Sequence, residues 1–321
     1  MVGKGVNTIR ETKGDAPEIL SFLRSSFSSP THWPDWNIPL SEYFNTRFFY
    51  QTCWRGDQII GICPCHEMTS GLSSTVFSGP KPWLMPYGGW LFSEPADLID
   101  DFIQVGGGRR ETIYVSLPSI PEFGSIVDSD QAKQWLTLVV DLRQDQETIW
   151  MSSLNAKRRN MIRKAEKANV QIVEDDKNDL ASFYDIMKRA NERNGLNSFE
   201  LTFFSRLFSN AQNIAFDILW AKNEHGIIAG LVMARDKNFA LYWLGMTIEG
   251  APNMGQGDLL QWRAICRAKE FGCAYYDLCS IEKEHLPQIY EFKKGFSSDE
   301  RTYISFANRP LQHKILDRIS R

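Results

Sequence analysis

Three β-rich runs in the second half of the chain, residues 214–222, 226–235 and 239–245, follow one another with almost nothing between them. The connections are Asn223-Glu-His-Gly226 and Asp236-Lys-Asn238. Links this short join strands that lie side by side and antiparallel, so the spacing predicts a meander. Such a sheet needs cover on its apolar faces, and the flanking segments read as helices. A basic helix over 148–168, a strand over 170–174 and helices over 179–193 and 199–208 precede the meander. A helix over 258–271, opened by Gly255-Gln256-Gly257 and stopped by Gly272, follows it. A strand over 274–279, a short helix and a last strand over 301–306 complete the order. This succession predicts a mixed α/β domain with a largely antiparallel sheet.

The first half also mixes helix and strand. Ile19, Leu20, Phe22, Leu23 and Phe27 recur at helical spacing over 16–27. Runs over 48–54 and 58–65 flank Arg55-Gly56-Asp57, a hairpin turn. A loop over 78–90 interleaves Pro and Gly with Trp83, Tyr87 and Trp90, which predicts a shaped surface loop. A helix over 96–105, closed by Gly106-Gly107-Gly108, and strands over 112–117 and 135–142 follow. At about 150 residues per domain, 321 residues suggest two domains. The expected division is 1–145 and 146–306, with the tail 307–321 packing back on the first.

With 43% apolar and 23% charged residues, the chain is neither disordered nor low-complexity. A net charge of −3 excludes a polycation built for nucleic acid, so any anionic partner must meet a local patch. No apolar run is long enough for a transmembrane helix, and the first 27 residues lack the form of a signal peptide. Six Cys are too sparse for a disulfide scaffold, and the expectation is a cytoplasmic protein with reduced thiols. Cys63-Pro-Cys65-His66 lacks a second pair at zinc spacing, so no metal site is expected there.

The element order of the second half is that of the GCN5-related N-acyltransferase (GNAT) fold. Four motifs carry a closer resemblance, to the FemABX family of peptidoglycan-bridge aminoacyl transferases. They are Asp57-Gln-Ile-Ile-Gly61 with Pro64, Met85-Pro-Tyr-Gly-Gly-Trp-Leu-Phe92, Lys157-Arg-Arg-Asn-Met-Ile-Arg-Lys-Ala165, and Tyr276-Asp-Leu-Cys-Ser280 followed by Glu291-Phe-Lys-Lys-Gly-Phe296. The resemblance implies two GNAT-like domains in tandem, the first degenerate. It also implies transfer of an acyl or aminoacyl group to an amine. Peptidoglycan members use aminoacyl-tRNA as donor and a lipid-linked or nucleotide-linked muropeptide as acceptor. Family members that hold the muropeptide diphosphate carry a Lys just after an N-terminal Trp. Here Trp33 and Trp36, in His32-Trp-Pro-Asp-Trp-Asn37, have none. The coiled-coil insertion of some members is also missing.

Acyl transfer to an amine needs a neutral nucleophile, a donor for the tetrahedral oxyanion and a proton for the leaving group. By resemblance Lys293, after Phe292, is the oxyanion or leaving-group donor; the plain alternative is a solvated Lys at a helix end. Tyr276 and Asp277 end the strand beside which the fold places the reacting centre, and Asp277 is expected to hold the amine or take its proton. A turn cap is the alternative for that Asp. Gly255, Gln256 and Gly257 open a helix, a geometry that cradles phosphate. The position three residues before Gly255, often Arg or Gln in acyl-CoA enzymes, is Pro252. Arg159, Arg163 and Lys167 form one helical stripe, with Lys164 beside it, suited to tRNA, CoA or lipid head groups or simply a solvated face. Arg193 resembles the family's Arg that reaches acceptor phosphate. Trp83, Tyr87 and Trp90 are expected to shape an acceptor groove, or to pack the two domains, and Trp33, Trp36, Tyr87, Gly88 and Gly89 to bind substrate.

Three functions are therefore expected, in order. The first is aminoacyl transfer from aminoacyl-tRNA to the amine of a peptidoglycan precursor, with peripheral contact with the inner membrane face if the acceptor is lipid-linked. The second is acyl-CoA-dependent transfer to an amino sugar or peptide amine, and the third is ligand binding without catalysis. No tightly bound cofactor is expected in any of them.

Overall fold

The computed structural model describes residues 7–70, 73–79, 85–94, 110–124, 132–174, 180–193, 195, 198–279, 283–284 and 286–308. Trp83, Ser280, the helix expected over 96–105 with its three closing glycines, and the tail beyond 308 lie outside them. The chain divides into two compact units, one of residues 1–136 and 301–321, the other of 137–300.

The first unit opens with β1 (Asn7–Lys13), α1 (Pro17–Ser25) and α2 (Pro34–Phe44). The strands β2 (Arg47–Arg55), β3 (Gln58–Ser70), β4 (Ser73–Ser78), β5 (Leu91–Phe92) and β6 (Arg110–Val115) follow. β1, β2, β3 and β4 pair in sequence order, all antiparallel, and β5 adds to β3. β6 joins β4 in parallel. The chain's last strand, Glu300–Asn308, pairs antiparallel with β6, Ser305 opposite Val115. The strand expected at 301–306 within the second domain thus belongs to the sheet of the first unit. Helix α2 had no clear sequence signal. Pro34 starts it, and Asn45 ends it in the left-handed conformation at φ 50. The core of this unit gathers Phe49, Ile60, Val76, Trp90, Phe92, Tyr114 and Ile304.

β7 (Lys133–Asp141) begins in the first unit and ends in the second, which goes on with α3 (Ala156–Lys167), β8 (Gln171–Glu174), α4 (Leu180–Arg193) and α5 (Leu201–Asn210). The meander β9 (Ala215–Asn223), β10 (Gly226–Arg235) and β11 (Phe239–Thr247) comes next. α6 (Gln256–Glu270), β12 (Tyr275–Asp277) and α7 (Pro287–Lys294) complete the unit. Sheet order is β7-β12-β11-β10-β9-β8. β11 and β12 are parallel and every other neighbouring pair in this sheet is antiparallel. α6 fills the α/β crossover between β11 and β12 and buries Leu260, Ala264, Ile265 and Ala268 against the sheet.

One expected helix is broken. The span 148–168 divides into a short helical turn at Gln146–Thr148, a π turn at Ile149–Ser153, and α3. The break has a local cause. Leu154 is extended, and the Asn155 side chain accepts a 3.0 Å hydrogen bond from the Arg158 N–H, capping a new helix. Asn and Asp bond neighbouring backbone in this way, so they start helices better than they continue them.

Candidate functional site

β11 and β12 pair over only three residues, Phe239 with Tyr275, Ala240 with Tyr276, and Leu241 with Asp277. β12 then stops while β11 runs on to Thr247, which leaves one edge of β11 open. A bulge lies at the point of parting. Val232 of β10 faces Leu244 but the next residue, Met233, faces Tyr242, so Trp243 is the extra residue. The extra residue shifts the alternation of side chains along β11. A Cβ on Gly245 would meet the Tyr242 hydroxyl at 2.1 Å, so the phenol lies along the strand in the space that a missing side chain leaves.

Helix α7 brings Lys293 to this opening. Its side chain is buried, 8% exposed. Nζ donates a 3.1 Å hydrogen bond to the Cys279 carbonyl and stands 5.7 Å from the centroid of the Tyr242 ring. Burial pushes the ammonium below the usual lysine range, and the neighbouring Cys279 and Asp277 pull it back up. Cys279 has a left-handed backbone at φ 59, unusual for a residue with a Cβ. Its N–H donates to Asp277 Oδ1 at 2.7 Å, and the Thr137 hydroxyl from β7 donates to the same oxygen. Asp277 is fully buried. Its Oδ1 is therefore used to build the turn that presents the Cys279 carbonyl to Lys293. Burial, then Asp277, pushes the Cys279 thiol well up, and burial pushes the Tyr242 phenol up to about 12. The cluster is a shielded cation with a phenol and a carboxylate beside it, at the edge of a splayed sheet. Such a cation can meet developing negative charge where water does not screen it.

The other two residues expected beside Lys293 and Asp277 support the site from behind. Tyr276 turns toward α6, where its hydroxyl accepts a 2.6 Å hydrogen bond from Gln261, and it is fully buried in the unit's core. Phe292 packs edge-on against Phe296 and lies 5.1 Å from the Arg158 guanidinium. Arg158 in turn pairs with Asp258 at 2.7 Å, both side chains 8% exposed. Tyr242 and Thr137 were not singled out in the sequence. The signal for Tyr242 is Gly245, an isolated glycine inside a strand pattern, which marks a close approach. Thr137 sits in an ordinary strand run and gives no signal.

The glycine pair opening α6 is held by its own neighbours. Gly255 is left-handed at φ 86, and a Cβ there would meet the Met161 carbonyl of α3 at 2.2 Å. The Gln256 side chain accepts from the Met254 N–H at 2.8 Å and donates to the Pro252 carbonyl at 3.0 Å. Asn253 Oδ1 accepts from the Gly255 N–H at 3.2 Å. Asp258 adds a carboxylate in the first turn of the helix. Two N–H groups that a phosphate cradle would offer are thus already taken, and a negative charge stands in the first turn. Gly257 has open space around its Cα.

The basic helix α3 is only partly a solvated face. Arg159 Nη1 donates to the carbonyls of Trp150, Met151 and Leu154, capping the preceding helical segment. Lys164 donates to the Asn253 carbonyl at 2.7 Å, tying α3 to the loop before α6. Arg163 lies 5.5 Å from the Trp150 ring. Arg193, on α4, donates to the Thr247 carbonyl at 2.9 Å, at the end of the open strand β11.

In the first unit the expected acceptor residues come together as interior. Trp33, Trp36 and Tyr87 are buried, Trp36 and Tyr87 fully so. His32 Nε2 meets the Gly89 carbonyl at 3.0 Å, and the Gly89 N–H donates to the Ser78 hydroxyl at 2.8 Å. Gly88 is required by contact, since a Cβ there would meet Gly79 N at 2.4 Å. Cys63 and Cys65 are buried, and His66 is stacked between Phe48 and Phe77 with its nitrogens on Asn37 and Thr46.

Residues 152–294 match the family model described as "Acetyltransferase (GNAT) domain". They span α3 to α7 and include Lys293, Asp277 and the open edge of β11, so the match to this domain falls within the second unit. Among solved structures, the whole chain has the fold of FemX, with a TM-score of 0.64 at 10% identity over 90% of this chain and 94% of that one. It is also similar to the C-terminal domain of a putative lysylphosphatidylglycerol synthetase from Agrobacterium fabrum, with a TM-score of 0.55 at 13% identity over 94% of each chain. A tandem GNAT protein from the clavulanic acid biosynthesis pathway matches with a TM-score of 0.51 at 9% identity over 95% of this chain and 99% of that one. The fold is thus the one shared by FemX and a tandem GNAT protein. A sequence comparison with curated proteins finds no match. Among the described residues no helix is long and apolar enough to cross a membrane.

Proposed function

We propose that this protein is an N-acyltransferase that moves an aminoacyl group from aminoacyl-tRNA to the amine of a peptidoglycan precursor peptide. The observation that carries the acyl-transfer reading is the buried Lys293 ammonium at the point where β11 and β12 part, backed by Asp277 and facing Tyr242. The amine attacks the carbonyl carbon of the donor ester. The tetrahedral oxyanion that forms is stabilised by Lys293. The C–O bond to the donor then breaks, and the leaving oxygen takes a proton from the ammonium or, through it, from the incoming amine. Asp277 keeps Lys293 charged and shapes the turn at Cys279.

The choice of an aminoacyl donor rests on two supports. The loop at Gly255 has its own side chains on the N–H groups of Met254 and Gly255, which disfavours a CoA pyrophosphate. The solved structures with this fold include FemX and a putative lysylphosphatidylglycerol synthetase, the latter named for an aminoacyl product.

The test is a transfer assay with the purified chain, offering alanyl-tRNA or acetyl-CoA against UDP-MurNAc-pentapeptide. Transfer from the tRNA is expected, reduced about 10²- to 10³-fold in Lys293→Ala, the loss typical of one oxyanion donor. Lys294→Ala is the control, since Lys294 is exposed and bonds Tyr290. Transfer from acetyl-CoA alone would overturn the donor assignment. Equal activity of wild type and Lys293→Ala would overturn the catalytic one.

A further inference from the structure

A groove of about 460 Å³ lies on the second unit between the helical segment 146–153, α3 and α6. Gln146, Glu147, Trp150, Arg163, Glu166 and Trp262 line it. The volume is that of an ordinary small-molecule site, about 300–1,000 Å³. Trp150 and Trp262 pack against each other and form one aromatic side of it, with ring centroids 5.0 Å apart and planes at 59°. Trp150 stands on the π turn Ile149–Ser153, a backbone form rare in helical proteins and concentrated at functional sites. Among the described residues neither indole N–H has a hydrogen-bond partner, and neither Glu147 nor Glu166 is in an ion pair.

The lining selects among ligands. Two carboxylates against one guanidinium disfavour a phosphate or another anion. A cation would seek an indole face, but Arg163 already lies 5.5 Å from the Trp150 ring. What remains is a neutral molecule with a flat apolar side and many hydroxyls. The aromatic side packs the C–H face of such a ring, while Glu147, Glu166 and Gln146 accept and Arg163, Gln146 and the indoles donate. We propose that this groove binds a pyranose ring of a neutral saccharide. The proposal stands apart from the acyl-transfer reading, because it uses different residues and needs no donor.

Saccharide binding is measured on the full chain without any acyl donor, by tryptophan fluorescence and saturation-transfer NMR. The probes are methyl β-D-glucopyranoside and N-acetylglucosamine, with choline and inorganic phosphate as the charged arms. Saturable binding of a saccharide is expected, with magnetisation passing to the protons of one ring face. Trp150 packs against the core, so the variants are the exposed Glu166→Ala and Arg163→Ala. Each is expected to weaken binding about tenfold, equivalent to about 1.4 kcal/mol, while circular dichroism stays unchanged. Absence of saturable saccharide binding, preference for choline or phosphate, or undiminished binding in both variants would overturn the proposal.

Discussion

Lys293 Nζ lies 3.1 Å from the carbonyl oxygen of Cys279, a residue held at φ 59 by a turn whose N–H bonds Asp277. The strained residue and the buried cation are parts of one device. Backbone strain of this kind costs about 1–3 kcal/mol and persists only where the surroundings impose it. Here the Asp277 carboxylate, anchored by Thr137, imposes it. The carboxylate also offsets part of the desolvation that pushes the Lys293 ammonium down.

The pH dependence of transfer follows from that balance. Lys293 works as an ammonium, so activity falls as pH rises through its depressed pKa, and the alkaline limb lies below 10.5. Removing the carboxylate removes an interaction that raises this pKa. Asp277→Asn is therefore expected to move the alkaline limb to lower pH. A pH–rate profile with an unmoved limb would separate Asp277 from Lys293.

Tyr242 and Gly245 form a matched pair. The phenol occupies the space where a Gly245 side chain would be, 2.1 Å from its Cβ position. Gly245→Ala displaces the hydroxyl from the opening, and Tyr242→Phe deletes it. Both are expected to lower kcat about tenfold, about 1.4 kcal/mol in the barrier, because the phenol lines the opening beside Lys293. Gly245 is exposed and its φ is negative, so the thermal midpoint of Gly245→Ala should stay near wild type. A large loss of stability with unchanged kcat would mean that the pair is structural.

Arg158 and Asp258 tie α3 to α6 through a buried ion pair at 2.7 Å. Burial pushes the Asp258 carboxyl up even though Arg158 pulls it down, so the pair is held in a costly environment. Arg158→Met strands the carboxylate and is expected to cost about 3–5 kcal/mol in denaturant unfolding. The double variant Arg158→Met with Asp258→Leu should recover most of that loss. Additive losses in the double variant would argue that the two side chains do not act as a pair.

Acid should unfold the first unit through two histidines. Burial lowers His32 to about 4 and His66 to about 3, against 6.5 in the open chain. At pH 7 both states are neutral and nothing is lost. Below 6.5 the unfolded chain takes up protons that the folded one refuses, so stability falls until pH passes the folded values. The slope is about 1.4 kcal/mol per pH unit for each histidine. Urea midpoints should drop between pH 7 and 5, and His66→Gln should halve the histidine part of the slope. An unchanged slope in that variant would refute the assignment.

Much of the second unit was legible from one strand to the next. The meander follows from short turns and β-rich runs, and observed β10 runs over the span its residues predict. Lys293 and Asp277 were singled out only through a family resemblance of their motifs, and the structure brings both to the turn at Cys279. Other features were not. Asn155 breaks the helix expected over 148–168, because one side-chain cap outweighs a run of good helix formers. Arg159 faces three carbonyls rather than solvent, a consequence of that same break.

The sequence by itself determined the elements whose causes are local: the meander, the glycine that opens α6, and the helix that ends in Lys293-Lys294. Turn chemistry, helix caps and apolar period act over a few residues, so they are readable there. Only the tertiary structure decided which groups are buried together. Lys293 and Lys294 are neighbours in sequence, yet one is shielded beside Asp277 and the other is exposed on Tyr290. Tyr242 and Gly245 share a space because a bulge changes the phase of a strand. Burial and register arise from contacts between distant segments, and those set the charge on a lysine.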